Sequence, residues 1–308
     1  VLDSIDPELC YIALDCGGYM GRMADGYEEC MKELSKWMDG TSVENIGGPP
    51  MVNIIGLQRD IPRGSANIYE LRRMLGLLGI KVNSVFPPSS LAEIKRAPRA
   101  HLNVLLGYGM GLARKMEERW GIPWVLCEGY PYGLAGSQGF VRSVASSLGV
   151  DEENVNKVLE REKQKVLNRL KPANMYLPAL YRIPVTISGD LTQVRGMAYF
   201  LTQEIGCKIK LVNVTSAPSW AKGIDDLKAI CDEVLFQSSW HEFERLVVDM
   251  DIGIIFGSEL ERSISERLNI PIIAFSYPTL SKVALTSVPY MGFMGTLTLV
   301  EDLINRIT

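Results

Sequence analysis

From residue 51 onward the chain alternates short β-branched apolar runs with longer segments whose apolar residues recur every three or four positions. A run of four to six apolar residues suits a strand buried on both faces, and the amphipathic stretch after it suits the helix that covers it. The alternation therefore predicts βαβ units on parallel sheets. Met51-Val-Asn-Ile-Ile-Gly56 is the first such strand, and Ala66 to Leu78 is its helix, apolar at Ile68, Leu71, Met74, Leu75 and Leu78, with Gly79 suited to the C-terminal cap. Ile80 to Phe86 is the next strand, stopped by Pro87-Pro88. A helix from Ser89, a strand from Leu102 to Leu106, a helix from Gly111 to Trp120, a strand from Pro123 to Leu126 and a helix from Leu134 to Leu148 complete one sheet and its cover.

The same logic repeats after a charged stretch. Residues 151–171 contain no glycine, are apolar at Val155, Val158, Leu159, Val166 and Leu170, and read as a helix joining two units. Beyond it lie strands at Ile183 to Ile187, Ile209 to Val214, Glu233 to Phe236, Ile252 to Phe256 and Ile270 to Phe275. Helices are expected at Leu191 to Ile205, Trp240 to Val248, Glu259 to Leu268 and Thr296 to Ile307. Ahead of everything, Tyr11 to Asp15 is strand-like and Met23 to Met38 is helical. With no initiator methionine before Val1, this segment reads as the end of a domain that begins upstream. The expected class is α/β, with tandem Rossmann-like domains and parallel sheets: 1–46 as the end of a first domain, 47–150 as a second, 151–180 as a connecting helix and 181–308 as a third.

Composition narrows the function. No apolar run approaches the roughly 18 residues that span a bilayer, so no membrane role is expected. The net charge of −4 is spread in mixed signs and forms no basic face, which argues against a nucleic-acid partner. Six cysteines, at 10, 16, 30, 127, 207 and 231, include no C-x-x-C pair, and there are two histidines; that excludes zinc-finger and ferredoxin patterns. Cysteines this sparse fit a reducing cytoplasm rather than a disulfide framework.

In open α/β sheets ligands sit beyond the carboxyl ends of the strands, so the turns leaving the strands carry the candidate sites. Leu106-Gly-Tyr-Gly-Met-Gly111 follows a strand and opens a helix, the context an anion cradle needs. It is not G-x-G-x-x-G, so a tight, closely packed turn is the competing reading. Asp190 and Ser258 leave later strands and suit helix caps as well as ligand contacts. Cys16-Gly-Gly-Tyr19 could aim a thiolate into a cleft, although a lone cysteine reads first as a small buried hydrophobe. Trp240-His241-Glu242 lacks the second histidine of a zincin, because position 245 is arginine.

Several strings in order resemble one family. Val52-Asn-Ile-Ile-Gly56, Leu71-Arg-Arg-Met-Leu75, Leu78-Gly-Ile-Lys-Val-Asn83, Ala97-Pro-Arg-Ala-His-Leu-Asn-Val104 and Glu117-Glu-Arg-Trp-Gly-Ile-Pro-Trp124 are similar to the middle domain of nitrogenase component 1 type proteins. Gly189-Asp190 ahead of Val194-Arg-Gly-Met-Ala-Tyr-Phe-Leu201, and Ser265-Glu-Arg-Leu-Asn-Ile-Pro-Ile272 running through Ser276-Tyr-Pro278 to Pro289-Tyr-Met-Gly-Phe-Met-Gly295, resemble its third. Cys16-Gly-Gly-Tyr-Met-Gly21 resembles the end of its first.

The resemblance implies three Rossmann-like domains around a shallow cleft, assembly with a homologous component 1 subunit as a homo- or hetero-oligomer, and electrons from an ATP-dependent iron-sulfur reductase. Iron-sulfur ligands in such proteins come from the first half of the first domain, which places them upstream of this chain or on a partner subunit. Where the α subunit of nitrogenase holds its metal cofactor by cysteine and histidine, this chain has Gly107 and Ser276, and near the cofactor's other neighbours it has Ala24 and Glu28. A molybdenum-iron cofactor is therefore not expected, and the chain looks closer to β-type subunits or tetrapyrrole-reductase relatives. The implied site comprises Cys16, as cofactor contact and metal ligand, with Tyr19, Gly107, Tyr108, Gly109, Met110, Asp190, Arg262 and Ser276. Glu259 and Tyr277 are the implied proton donors. The expected function is an oxidoreductase subunit that reduces a substrate in the interdomain cleft. A scaffold for metallocluster assembly and a non-redox small-molecule binding protein are the alternatives.

Overall fold

The structure is a computed structural model that describes residues 11, 23–39, 48–218, 220–221, 224–280 and 283–307. The expected strand at Tyr11 to Asp15, and Cys16 and Tyr19 with it, lie outside the described residues apart from Tyr11.

The first unit alternates β1 (Met51–Ile55), α2 (Gly64–Gly76), β2 (Lys81–Phe86), α3 (Leu91–Arg96), β3 (Leu102–Leu105), α4 (Met110–Trp120), β4 (Trp124–Leu126) and α5 (Gly133–Ser147), preceded by α1 (Met23–Glu33). Its four strands are parallel in the order β2-β1-β3-β4. Buried asparagines tie the middle of this sheet: Asn83 donates to Asn53 at 2.9 Å, and Asn53 donates to Asn103 at 2.9 Å. All three side chains are buried and joined by these bonds, although the Asn103 Nδ2 finds no partner among the described residues. The outer edge of β2 is blunted by arginines, with Arg96 Nε on the Asn83 carbonyl at 2.8 Å and Arg59 Nε on that of Pro87 at 2.6 Å.

After α6 (Glu152–Leu170) and α7 (Leu177–Leu180) comes the second unit: β5 (Pro184–Asp190), α8 (Leu191–Tyr199), β6 (Lys208–Ser216), α9 (Asp225–Lys228), β7 (Cys231–Phe236), α10 (Trp240–Asp249), β8 (Ile254–Gly257), α11 (Arg262–Leu268), β9 (Ile272–Ala274) and α12 (Gly292–Ile307). Its five parallel strands run β7-β6-β5-β8-β9. The α/β class with two parallel sheets, expected from the alternation, is what the chain adopts. Among the described residues no helix is long and apolar enough to cross a membrane.

The differences from the sequence reading have identifiable physical causes. The stretch read as one helix from Leu191 to Ile205 winds as α up to Tyr199 and as a π-helix over Phe200–Ile205. The last helix begins four residues earlier than its periodicity suggests. Gly292, at φ +78°, makes the turn and Glu70 of α2 accepts the Met294 N–H at 3.1 Å, so a distant residue does the capping. Helix α11 begins at Arg262, not Glu259, because Glu261 folds back to take the Ser258 N–H at 2.7 Å. Helix α6 buries Val155, Val158, Leu159 and Val166 in the main core and packs on α5 and α12. Helix α12 itself returns from the second unit to pack on α2, α5 and α6.

Candidate functional site

Each sheet reverses its strand order once, between β1 and β3 in the first and between β5 and β8 in the second, and crevices open at such points. The loops leaving these strands carry Gly56 to Gln58, Gly107 to Met110 and Ser188 to Asp190, and the two sets face each other. Gly56 sits at φ +87°, and a Cβ there would lie 2.2 Å from the Tyr108 carbonyl oxygen, so only glycine lets the β1 and β3 loops close. A Cβ on Gly107 would come within 2.8 Å of Thr192 Oγ1, on the first turn of α8.

Polar bonds cross between the units here. Tyr108 donates its hydroxyl to Asp190 Oδ2, and that same hydroxyl lies 2.8 Å from Ser216 Oγ at the end of β6. Gln193 donates to Gln58 at 2.5 Å, and the Tyr130 N–H donates to the Thr192 carbonyl at 3.1 Å. Asp190 also caps α8, accepting the Thr192 N–H at 3.0 Å, as its position after a strand suggested.

Burial dominates the electrostatics of this cluster. It pushes the Asp190 carboxyl up from 3.8 to about 6, against bonds from Tyr108, Thr192 and Gln193 that favour the charged form. Burial and the neighbouring Asp190 push the Tyr108 phenol far above its ordinary value, and burial with Asp60 does the same to Tyr27, whose ring packs 5.0 Å from that of Tyr108. The tyrosines therefore stay neutral, and Asp190 is the member of the cluster that titrates near neutral pH.

Beside this cluster lies a cavity of about 290 Å³. Gly107 and Met110 from the β3 loop, Cys127 and Glu128 after β4, Thr192 and Arg195 on α8, and Trp220 after β6 line it, with Arg114 of α4 alongside. Arg195 is held by Asp226 through bonds of 2.9 and 3.1 Å. Burial pushes the Cys127 thiol up to about 12, so it stays protonated while the wall around it is closed. A second cavity of about 490 Å³ shares Leu126, Cys127 and Glu128 with the first. Its walls are Tyr130, Tyr132, Phe140, Tyr199 and Phe200, over glycines 136, 139 and 196. The two together form an apolar groove with arginines at one end.

The glycine-rich turn of β3 does cradle an anion, but an internal one. Glu28 of α1 accepts the Gly109 N–H at 2.7 Å through Oε1, and its Oε2 lies 3.5 Å from the Gly111 nitrogen. Of the sequence candidates, Gly107, Tyr108, Gly109, Met110 and Asp190 come together. Ser276 is fully buried behind them, donating to the Ser188 carbonyl at 3.0 Å. Glu259, Arg262 and the half-exposed Tyr277 gather instead at the ends of β8 and β9, where Arg262 pairs with Glu259, and none of the three lines the 290 Å³ cavity. Sequence reading missed Gln58, Gln193, Ser216, Arg114, Arg195 and Trp220. The loops that present them were legible; their convergence from distant parts of the chain was not.

Among the described residues no three His, Cys, Asp or Glu side chains converge as metal ligands. Cys207 donates to the Leu180 carbonyl and Cys231 to that of Leu227, far along the chain from Cys30 on α1 and Cys127 in the cavity wall. The described donors thus do not fit an iron-sulfur cluster.

The family model described as nitrogenase component 1 type oxidoreductase matches residues 3–308. The light-independent protochlorophyllide reductase B subunit of Zygnema circumcarinatum is 27% identical over 297 residues, covering 87% of this chain and 54% of that protein. The corresponding protein of Chlorokybus atmophyticus is 28% identical over 273 residues, covering 84% and 52%. The chain spans about half the length of these curated relatives. Among solved structures, nitrogenase Cp1 at pH 6.5 superimposes with a TM-score of 0.74 at 18% identity, over 94% of this chain and 66% of that one, which is a likeness of fold.

Proposed function

The chain belongs to the nitrogenase component 1 type oxidoreductase family, and from that premise we propose that it is part of a reductase subunit whose interdomain groove takes a tetrapyrrole-class substrate and whose Asp190 supplies protons to it. The observation that carries this reading is the buried Asp190–Tyr108–Ser216 cluster, which spans the two sheets one residue behind the Gly107, Leu191 and Thr192 wall of the groove. Saturating a carbon–carbon double bond takes up two electrons and two protons. The electrons come from partner proteins, a homologous subunit and an ATP-dependent iron-sulfur reductase. The protons need a local acid whose pKa lies near the working pH. Asp190, pushed up to about 6, is such an acid, and Tyr108 holds its carboxyl in place through the hydroxyl that also meets Ser216.

The groove supports the substrate class. Its aromatic and aliphatic lining suits a flat conjugated ring system, and Arg114 and Arg195 at one end suit a carboxylate on its rim. The relatives that act on protochlorophyllide by name point the same way.

Reconstitution of the chain with a partner subunit and an ATP-dependent iron-sulfur reductase tests the proposal, with protochlorophyllide consumption as the readout. Asp190→Asn is expected to lower turnover by about 10²- to 10⁴-fold, the range of general acid catalysis, while protochlorophyllide still binds. Turnover within about threefold of the parent, against that range, would rule out the proton role. Cluster transfer without substrate reduction would favour the scaffold instead.

A further inference from the structure

The loop after β6 carries Trp220 across to the other unit, where the indole packs against the apolar cluster that includes Met31 of α1 and Met110 of α4. The indole N–H donates to Glu28 Oε1 at 2.9 Å, the same oxygen that accepts the Gly109 N–H. One carboxylate thus joins α1, the N-terminus of α4 and the β6 loop, segments separated by 81 and 192 positions in the chain. Trp220 is also a wall of the 290 Å³ cavity, together with Cys127 and Thr192. The bond to Glu28 thus ties one wall of the cavity to α1.

We propose that Glu28 is a positioning residue: its carboxylate fills the cradle of α4 from within the chain and, through Trp220, sets the width of the groove. A helix N-terminus favours an anion, so the carboxylate is firmly seated and makes a rigid anchor for the indole. Both short bonds end on one oxygen. The single amide oxygen of glutamine can therefore accept both, whereas alanine accepts neither. Trp220→Phe keeps an aromatic ring against the cluster and removes the N–H that reaches Glu28. For substrate affinity this rests on the groove being the binding site proposed above; the effect on groove width does not.

The test measures how fast N-ethylmaleimide alkylates Cys127 in the full chain, resolved by peptide mass spectrometry, with the buried Cys207 as an internal monitor of general loosening. Glu28→Ala and Trp220→Phe are each expected to speed Cys127 by about tenfold, the equivalent of one net hydrogen bond, with Cys207 unchanged. The double variant should be no faster than either single one, since both break the same link. Glu28→Gln should stay within about twofold of the parent, well short of that loss. An unchanged Cys127 rate, a parallel rise at Cys207, multiplying effects in the double variant, or Gln behaving as Ala would each overturn the proposal. If Glu28→Ala does not fold, the contrast between Trp220→Phe and Glu28→Gln decides by the same criteria. Protochlorophyllide affinity measured on the same set separates the two claims: if the parent does not bind it, the substrate reading falls and the Cys127 rates still decide the role of Glu28.

Discussion

Replacing Asp190 with asparagine is predicted to stabilise the fold at neutral pH while abolishing the proposed chemistry. Folding raises this carboxyl from 3.8 to about 6. Below pH 3.8 it is protonated in both states and its burial carries no ionisation cost. As pH rises through 6, the unfolded chain gives up the proton readily and the folded chain must bury a charge, so stability is lost. At 1.36 kcal/mol per tenfold, the penalty reaches about 3 kcal/mol at pH 7.5 and is about 1 kcal/mol at pH 4.5. Asparagine removes that penalty and remains a good helix cap for the Thr192 N–H, while the weakened contact with Tyr108 costs about 1 kcal/mol. The variant should therefore exceed the parent by about 2 kcal/mol at pH 7.5 and match it near pH 4.5. Urea unfolding followed by circular dichroism at the two pH values measures the gap. A variant no more stable than the parent at pH 7.5, or a gap that fails to narrow as pH falls, would refute the account of Asp190 as a buried, destabilised carboxylate. Stability stored against function in this way is a common property of active sites.

Other substitutions probe neighbouring links. Tyr108→Phe removes a bond that favours ionised Asp190, so the pH at which turnover falls off should move upward from about 6, read from a pH–rate profile. Gly56→Ala puts a Cβ 2.2 Å from the Tyr108 carbonyl oxygen in a left-handed backbone, and should cost about 3 kcal/mol or more in denaturant unfolding. Glu93→Gln strips the buried carboxylate that Arg59, Arg72 and Arg96 approach at 3.3 to 3.5 Å. Its cost should be about 2–3 kcal/mol, below that of breaking a fully buried pair because the guanidinium groups are partly exposed.

Much of the fold could be read without coordinates because its strands are buried on both faces. Met51–Ile55, apolar but for Asn53, and Ile254–Gly257 stand out as apolar runs, and their helices as 3.6-residue stripes. What escaped reading depends on distant partners. The early start of α12 relies on Glu70, some 224 residues away in the chain, and no local signal at Gly292 announces it. The candidate site divides the same way. Each strand-end loop was identifiable alone, including Tyr108 and Asp190, yet a separation of 82 positions hides their bond. The glycine-rich turn after β3 could be read as an anion cradle or as a tight packed turn, and that Glu28 takes its N–H groups follows only from how α1 packs on α4.

The return of α12 to the first unit has a consequence for how the protein is made. Leu299, Val300 and Leu303 complete the same core as Leu71, Leu75 and Val144, residues that leave the ribosome more than 150 positions earlier. At about 5–20 residues per second, the first sheet waits on the order of ten seconds or longer with an apolar face uncovered. The nascent chain thus passes through a window in which its second unit can be finished before its first, and in that interval α2 and α5 are natural clients for a chaperone.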